Sequence, residues 1–435
     1  MQNKPSLKEA LKFWLRLGFI SFGGPAGQIA IMHEFLVEKK KWISEKKFMN
    51  ALNYCMILPG PEAQQLSTYM GWLLHGNKGG LLAGMLFILP SMFILLGLSL
   101  VYSIYGNIPW IYALFTGLKP AVVAIVILAL IKIAKKSLLS SLHVILAIFA
   151  FIGIYFFNID FPFIILGSIL IAFLFRKINP SITKKDSNAN TNFDEDSYVI
   201  NVNTVLPQLG FTWKKFFFQL SIGILCWAIP FLLFFTFADD FIFWKKLIFF
   251  FTQAAFVTFG GAYAVLPYVA QFGVEKFHWL NAQQMLDGLA LGETTPGPLI
   301  MVLVFVGYMA GFNHGNASIF GGTLGLFTTT YYTFLPSFLF ILMGVHLIEK
   351  TQNSEKVKDI LSIITAAVVG VMFNFLIYLA QAILLKDGSD IETVQWGNLI
   401  WILISILALH RFKINMILWL GISALFGVLQ YFQTL

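Results

Sequence analysis

The sequence predicts an all-α, polytopic membrane protein built from two homologous repeats of opposite orientation, each with paired broken or re-entrant helical hairpins at its glycine-proline motifs. Three observations carry that prediction: an excess of apolar residues, self-similarity at a fixed offset, and a charge pattern that follows the loops.

The 435 residues are 58% hydrophobic and 11% charged, with a mean hydropathy of +0.78. A water-soluble core of this size cannot bury that much apolar surface, so the chain belongs in lipid. Apolar stretches recur at 81–101, 110–131, 142–157, 161–175, 216–237, 319–341, 360–385, 399–409 and 416–432. Several reach the ~20 residues that a helix needs to cross a ~30 Å hydrocarbon layer.

The net charge of +8 does not point to nucleic acid, because the lysines sit in short loops between apolar segments. Cys55 and Cys226 both lie in apolar segments and suggest neither a disulfide nor a metal site. Lys4, Lys8 and Lys12 lead into a glycine-interrupted segment without a small-residue cleavage signal, so no removed signal peptide is expected.

The repeat is read from an offset of 237 residues. Phe22-Gly23-Gly24 returns as Phe259-Gly260-Gly261, Trp42 as Trp279, and Pro59-Gly60-Pro61 as Pro296-Gly297-Pro298. Twelve of the forty positions from Phe22 to Pro61 are identical without a gap. Farther on the offset becomes 246, aligning Leu89-Pro90-Ser91 with Leu335-Pro336-Ser337 and Ala121-Val122-Val123 with Ala367-Val368-Val369. The expected organisation is a first repeat over 1–178, a polar cytoplasmic linker over 179–213, an extra inverting transmembrane helix over 214–240, and a second repeat over 241–435.

One extra crossing turns the second copy over if each copy crosses an even number of times. The charges agree. Residues 4–16, 39–47, 132–136 and 176–185 are basic in the first copy, as are His75 and Lys78, while the turns near Gly106 and Asp160 carry no basic residue. In the second copy the basic stretches are 350–358 and 410–413, and the turns at Asp239-Asp240, 313–316 and 386–392 are acidic or neutral, with Lys245-Lys246 as the exception. Placing basic loops in the cytoplasm puts the N-terminus inside and the C-terminus outside. The runs at 4–16, 39–47 and Lys78 share one side only if the intervening segments return where they entered. Arms of about 13 residues span only about 20 Å, so both segments are expected to be re-entrant.

Irregular backbone at membrane depth is tolerated where protein or a water-filled cavity satisfies it, so the breaks are the expected substrate site. Glycine allows close backbone approach and proline starts a helix without wasting an N–H. A helix starting after Gly24 or Pro61 turns its positive end toward mid-membrane, which favours an anion. The candidate residues are Ser21, Gly23, Gly24, Pro25, Gln28, Pro59, Gly60, Pro61 and Gln64 in the first copy. Their counterparts in function are Thr258, Gly260, Gly261, Thr294, Thr295, Pro296, Gly297 and Pro298. Gln65, Ser67 and Thr68 flank the same breaks. Against this stands the plainer reading, in which Gly and Pro kink helices and each hydroxyl bonds its own helix.

Lys119 lies roughly 15 Å into an apolar run, too deep to snorkel easily. It is a candidate anion contact, or a structural partner of Glu62 or Glu293. Glu62 and Glu293 are in turn candidates for proton coupling, or counter-charges for Lys119 or Arg16. Gly71 to Lys78 only superficially resembles a phosphate loop, with Asn77 where its lysine would stand, and His33-Glu34 lacks a second histidine at Val37. No metal, cofactor or catalytic nucleophile is expected, and the chain does not read as an enzyme.

The run from Leu17 through Ser21-Phe22-Gly23-Gly24-Pro25 to Gln28, followed by Leu58-Pro59-Gly60-Pro61 and Ala63-Gln64-Gln65, closely resembles the chromate transporter family. Phe259-Gly260-Gly261 and Thr295-Pro296-Gly297-Pro298 look like that family's second copy; Ala262 replaces the proline of the first. The resemblance spans nearly the whole chain outside the linker and the extra helix. It implies the long two-domain form in a bacterial cytoplasmic membrane. It also implies proton-gradient-driven chromate efflux that confers chromate resistance. Sulfate shares chromate's charge and shape, so sulfate or another oxyanion is the alternative substrate, and a channel or an intramembrane enzyme the alternative class. The expected mechanism is alternating access by rocking one half against the other, with the lipid bilayer and a homodimer as further partners.

Overall fold

The structure, a computed structural model, describes residues 4–22, 24–178, 197–201, 204, 212–344, 355–385 and 394–433. Gly23 and most of the expected linker lie outside the described residues, as do residues 350–354 of the basic stretch 350–358 and the turn 386–392.

The protein is an all-α polytopic membrane protein. The first-half helices are α1 (Leu7–Ile20), α2 (Gly24–His33), α3 (Glu45–Cys55), α4 (Glu62–Tyr105), α5 (Pro109–Ser137), α6 (Ser141–Tyr155) and α7 (Phe161–Ile178). Then come α8 (Trp213–Phe237), α9 (Phe241–Val257), the short α10 (Leu266–Ala270), α11 (Ala282–Thr294), α12 (Val302–His314) and α13 (Ile319–Gly344). The chain closes with α14 (Glu355–Leu384), α15 (Trp396–Ile406) and α16 (Met416–Gln433). Among the described residues, six helices are long and apolar enough to cross a membrane: those built on α4, α5, α8, α13, α14 and α16.

Short side chains and proline decide where these helices turn. Helix α4 is two helical arms joined at a corner, where His75 (φ −137°, ψ 22°) and Gly76 (φ 64°) leave the helical conformation and turn the chain back on itself. A Cβ on Gly80 would lie 2.9 Å from the Thr68 carbonyl, so the two arms are in contact. The corner is pinned by His75 Nε2, 2.9 Å from the Pro5 carbonyl. The equivalent second-half corner joins α12 to α13, where Gly307 and Gly311 meet Gly325 and Gly321 backbone to backbone. Small residues let helices approach closely enough to gain dispersion energy that apolar lipid would otherwise supply equally well.

The first hairpin is also closed. Phe13 of α1 stacks on Phe35, in the π-helical stretch Glu34–Lys39 after α2, at 3.8 Å between ring centroids. Trp42 packs edge-on against both rings. Each arm is therefore folded against the other. Residues 237 positions later repeat the clasp: Phe250 lies 5.9 Å from Phe272 and 5.3 Å from Trp279.

Helices α4 and α13 cross in opposite directions, because Gly84 abuts Phe338 while Phe93 meets Phe327 at 6.5 Å. Helix α8, the predicted extra crossing, packs on α9 and α13 and buries only Gly223, which is consistent with a lipid-facing helix. Part of the segment expected to be solvated is not: Ile200 is buried and bridges to Ile43, its N–H bonding Trp42 O. Its apolar side chain explains the docking.

The later helices exchange partners between halves. Helix α14 packs along α6 and α7, and α5 packs along α15 and α16, with α5 and α14 also touching. Gly117 of α5 comes against Gly427 of α16, and Gly370 of α14 against Ala147 of α6. Two mixed groups result, α1–α4 with α8–α13 and α5–α7 with α14–α16, rather than two sequence halves.

The opposed course of α4 and α13 is testable by cross-linking. With Cys55 and Cys226 replaced by serine and a protease site inserted near residue 190, Phe93→Cys/Phe327→Cys is expected to hold the two fragments together through a short thiol cross-linker. Phe93→Cys/Ile341→Cys is expected to let them separate.

Candidate functional site

Each of the four breaks exposes main-chain N–H and C=O groups that lipid cannot satisfy. The structure satisfies them reciprocally between the halves. The N–H of Gly60 donates to the carbonyl of Thr258, and that of Gly297 to the carbonyl of Ser21, both at 2.8 Å. Gly60 and Gly297 occupy equivalent positions of the repeat, as do Ser21 and Thr258.

These two glycines are required twice over. Their φ values of +116° and +96° lie in the left-handed region. A Cβ on Gly60 would strike Ser337 Oγ, and one on Gly297 would lie 2.7 Å from Ser91 Cβ. Pro59, Pro61, Pro296 and Pro298 flank them; Pro61 and Pro298 are the extended caps of the next helices.

Side chains complete two clusters. Around Gly297, Gln28 Nε2 donates to the Gly297 carbonyl at 2.5 Å and reaches Ser21 O at 3.4 Å. Around Gly60, Gln65 Nε2 donates to Pro59 O at 2.7 Å. Ser21, Gln28, Gln64, Gln65, Ser91 and Ser337 are all fully buried. Yet the hydroxyls of Ser21, Ser91 and Ser337 and the amide oxygens of the three glutamines have no hydrogen-bond partner. A buried polar atom without a partner costs about 1–3 kcal/mol, so six of them around two breaks form a polar site that a ligand would relieve. Ser337 sits beside the Gly84–Phe338 contact and Ser91 beside Phe93–Phe327, so the clusters are separated along α4 by about 10–13 Å.

The threonines behave differently. The hydroxyls of Thr258, Thr294 and Thr295 bond the carbonyls of Ala254, Leu291 and Gly292, and those of Ser67 and Thr68 bond Gln64 O. They satisfy their own helices, as the plainer reading has it. Gly24, Gly260 and Gly261 have positive φ at their breaks, Gly260 lying against Thr365, while Pro25 follows within the first turn of α2.

The acids and the lysine are placed apart. Glu293 is buried and accepts a hydrogen bond from Tyr263 Oη at 2.7 Å. Glu62 opens α4 and is half-buried. Lys119 pairs with neither. Its ammonium bonds Gln283 Oε1 at 2.8 Å and lies 3.4 Å from Asp287 Oδ1, both on α11. Sequence reasoning missed Asp287 because its repeat partner is Asn50, and missed Ser91 and Ser337 because they were used only to align the copies. The signal that could have found the serines was their place directly after in-helix Pro90 and Pro336. No group of three or more His, Cys, Asp or Glu able to hold a metal occurs among the described residues.

Comparison with known proteins gives a consistent result. The profile of the family described as "Chromate transporter" matches residues 8–173 and 245–428. The chromate transport protein of Pseudomonas aeruginosa is 30% identical over 375 residues, covering 85% of this chain and 80% of its own. That of Cupriavidus metallidurans is 26% identical over 415 residues, covering 94% and 89%. An uncharacterized transporter of Bacillus subtilis is 25% identical over 190 residues, which is 43% of this chain but 96% of its own. No solved structure matches.

Gly60→Ala and Gly297→Ala are each expected to lower the thermal midpoint of the purified protein, since left-handed strain of about 1–2 kcal/mol adds to the clash with serine. Gly421→Ala, which faces open space in helix α16, is expected to leave it unchanged.

Proposed function

This chain belongs to the chromate transporter family, and from that premise we propose that it exports chromate across a bacterial plasma membrane and confers chromate resistance. The proton gradient is the driver. Its electrical part favours export directly, since an inside-negative potential is worth about 2.3 kcal/mol per charge for each ~100 mV, twice that for a dianion.

The observation that supports this most is the pair of reciprocal main-chain bonds that joins the breaks of the two halves and leaves buried hydroxyls unpartnered beside them. Ser21, Ser91 and Ser337 supply the O–H donors that a tetrahedral oxyanion needs, next to the backbone of Gly60 and Gly297. The remaining break residues, from Gly24 and Pro25 to Thr295 and Pro296, shape the path. Gly23 belongs to the same motif. Of the two acids read from the sequence as proton carriers, Glu293 is the stronger, being buried and held by Tyr263.

The two copies stand as inverted repeats in this reading, with the N-terminus cytoplasmic and the C-terminus outside. The antiparallel crossing of α4 and α13 and the half-length relative both favour it. The protein works alone or as a homodimer, without a cofactor and without catalytic turnover. Sulfate is the second substrate reading, because the free serines recognise charge and tetrahedral shape and distinguish little else.

In cells expressing the protein, chromate accumulation is expected to fall severalfold relative to empty cells, and to recover when an uncoupler is added. Excess sulfate is expected to leave the difference intact, and Ser91→Ala/Ser337→Ala to abolish most of it. Altered sulfate flux with unchanged chromate would reassign the substrate.

A further inference from the structure

Lys119 lies in a polar nest between the two mixed helix groups. Lys119 belongs to α5, while its partners Gln283 and Asp287 belong to α11 and Tyr102 to α4. Tyr102 Oη donates to Asp287 Oδ2 at 2.9 Å, leaving Asp287 Oδ1 with only the Lys119 ammonium, 3.4 Å away. Gln283 Nε2 bonds the Ala382 carbonyl of α14 at 2.8 Å, and the Lys119 ammonium sits 5.4 Å from the Tyr112 ring. The side chains of Lys119 and Asp287 are each 5% exposed. A cavity of about 340 Å³ opens beside Asp287 and Gln283, the two partners of Lys119, and is lined also by Tyr102, Ser103, Asn107 and Tyr112.

We infer that this cavity is a second oxyanion site, distinct from the breaks, where a tetrahedral dianion takes the Lys119 ammonium from Asp287 while Asp287 takes up a proton from solution. The inference rests on the family-based reading that the protein carries such an anion. Its physical basis is charge balance. One buried ammonium balances one carboxylate, and adding a dianion beside an ionised Asp287 would leave uncompensated negative charge in a low-dielectric site. Protonation of Asp287 halves that excess, from two negative charges to one, and leaves the remaining charge to the neutral donors around the cavity. The neutral carboxyl keeps its acceptor oxygen for Tyr102 and gains an O–H for the anion or for Gln283 Oε1. The hydroxyl of Tyr112 and the amide of Asn107 supply further donors around the cavity.

Few other titratable groups compete. Helix α4 presents Tyr102 and α5 presents Lys119 and Tyr112 to Asp287. Helix α16, which also touches α11, contains no Asp, Glu, Lys, Arg or His, and α14 has none between Asp359 and Leu384. In α12, Tyr308 bonds Ser103 and His314 bonds Asp240. Proton binding and anion binding at this site are therefore linked through Asp287. Because the ion pair spans the two helix groups, moving the ammonium from carboxylate to anion also breaks a contact between them.

The test is calorimetric titration of the purified full-length protein with chromate, in buffers of different ionisation enthalpy, over about pH 7 to 9. A parallel titration with sulfate, which carries no proton in this range, controls for chromate's own protonation. Wild type is expected to take up about one proton per anion on the alkaline side, with affinity falling up to about tenfold per pH unit. Asp287→Asn is expected to take up none and to vary less than about twofold over the range. Tyr102→Phe, which removes a donor to the carboxylate, is expected to shift the pH profile upward while keeping binding near neutrality. Lys119→Gln is expected to weaken binding by more than about tenfold. Anion binding by wild type without proton uptake overturns the inference and leaves the transport reading standing, a result that holds even if the variants fail to fold. Equal proton uptake by wild type and Asp287→Asn overturns it too. Failure of wild type to bind either anion overturns both readings.

Discussion

A helix broken inside a membrane has to find partners for the main-chain groups it frees, and in this protein each half finds them in the other. The bonds from Gly60 to Thr258 and from Gly297 to Ser21 meet part of that requirement across the halves, and Gln28 and Gln65 cap the neighbouring carbonyls of Gly297 and Pro59. Much of the centre follows from them. The breaks must lie side by side, the donor residues must be glycines, and Ser91 and Ser337 are brought against those glycines. The aromatic clasps of Phe13 with Phe35 and Trp42, and of Phe250 with Phe272 and Trp279, hold the arms at the depth where the bonds can form.

The exchange continues away from the centre. With α14 lying on α6 and α7, and α5 on α15 and α16, each half contributes a helix to the other's bundle. Rocking one sequence half against the other, as the repeat alone suggests, would strip these helices from their partners. Movement between the two mixed groups disturbs a smaller interface, formed mainly by α5 and α14 against α10 and α11. The Lys119–Asp287 pair lies in that interface, where an ion pair can be made or broken without unpacking a glycine-lined helix contact.

The large outline was legible because it is written in features that do not depend on contacts. Hydropathy gives the spans, and Gly-Gly and Pro-Gly-Pro mark where the helices break. The repeat offset even paired the residues that later proved to bond reciprocally. The hydroxyls were less legible. Thr258, Thr294 and Thr295 carry the right chemistry in the right place, but a threonine after a helical turn can bond the carbonyl three or four residues back, and here each does. Ser21, Ser91 and Ser337 look no different in sequence, and only packing leaves their hydroxyls free.

The sequence by itself determined that the chain is helical, lies in a membrane, is internally repeated and is interrupted at four glycine-bearing points, because composition, periodicity and backbone preference are local properties. Only the tertiary structure decided which charge faces which. Lys119 had to find an acid to remain buried, and the sequence offered Glu62 and Glu293 at the breaks. The acid within reach is Asp287, brought there by the packing of α11 on α5. A partner 168 residues away is set by how helices cross, and no local pattern encodes that distance.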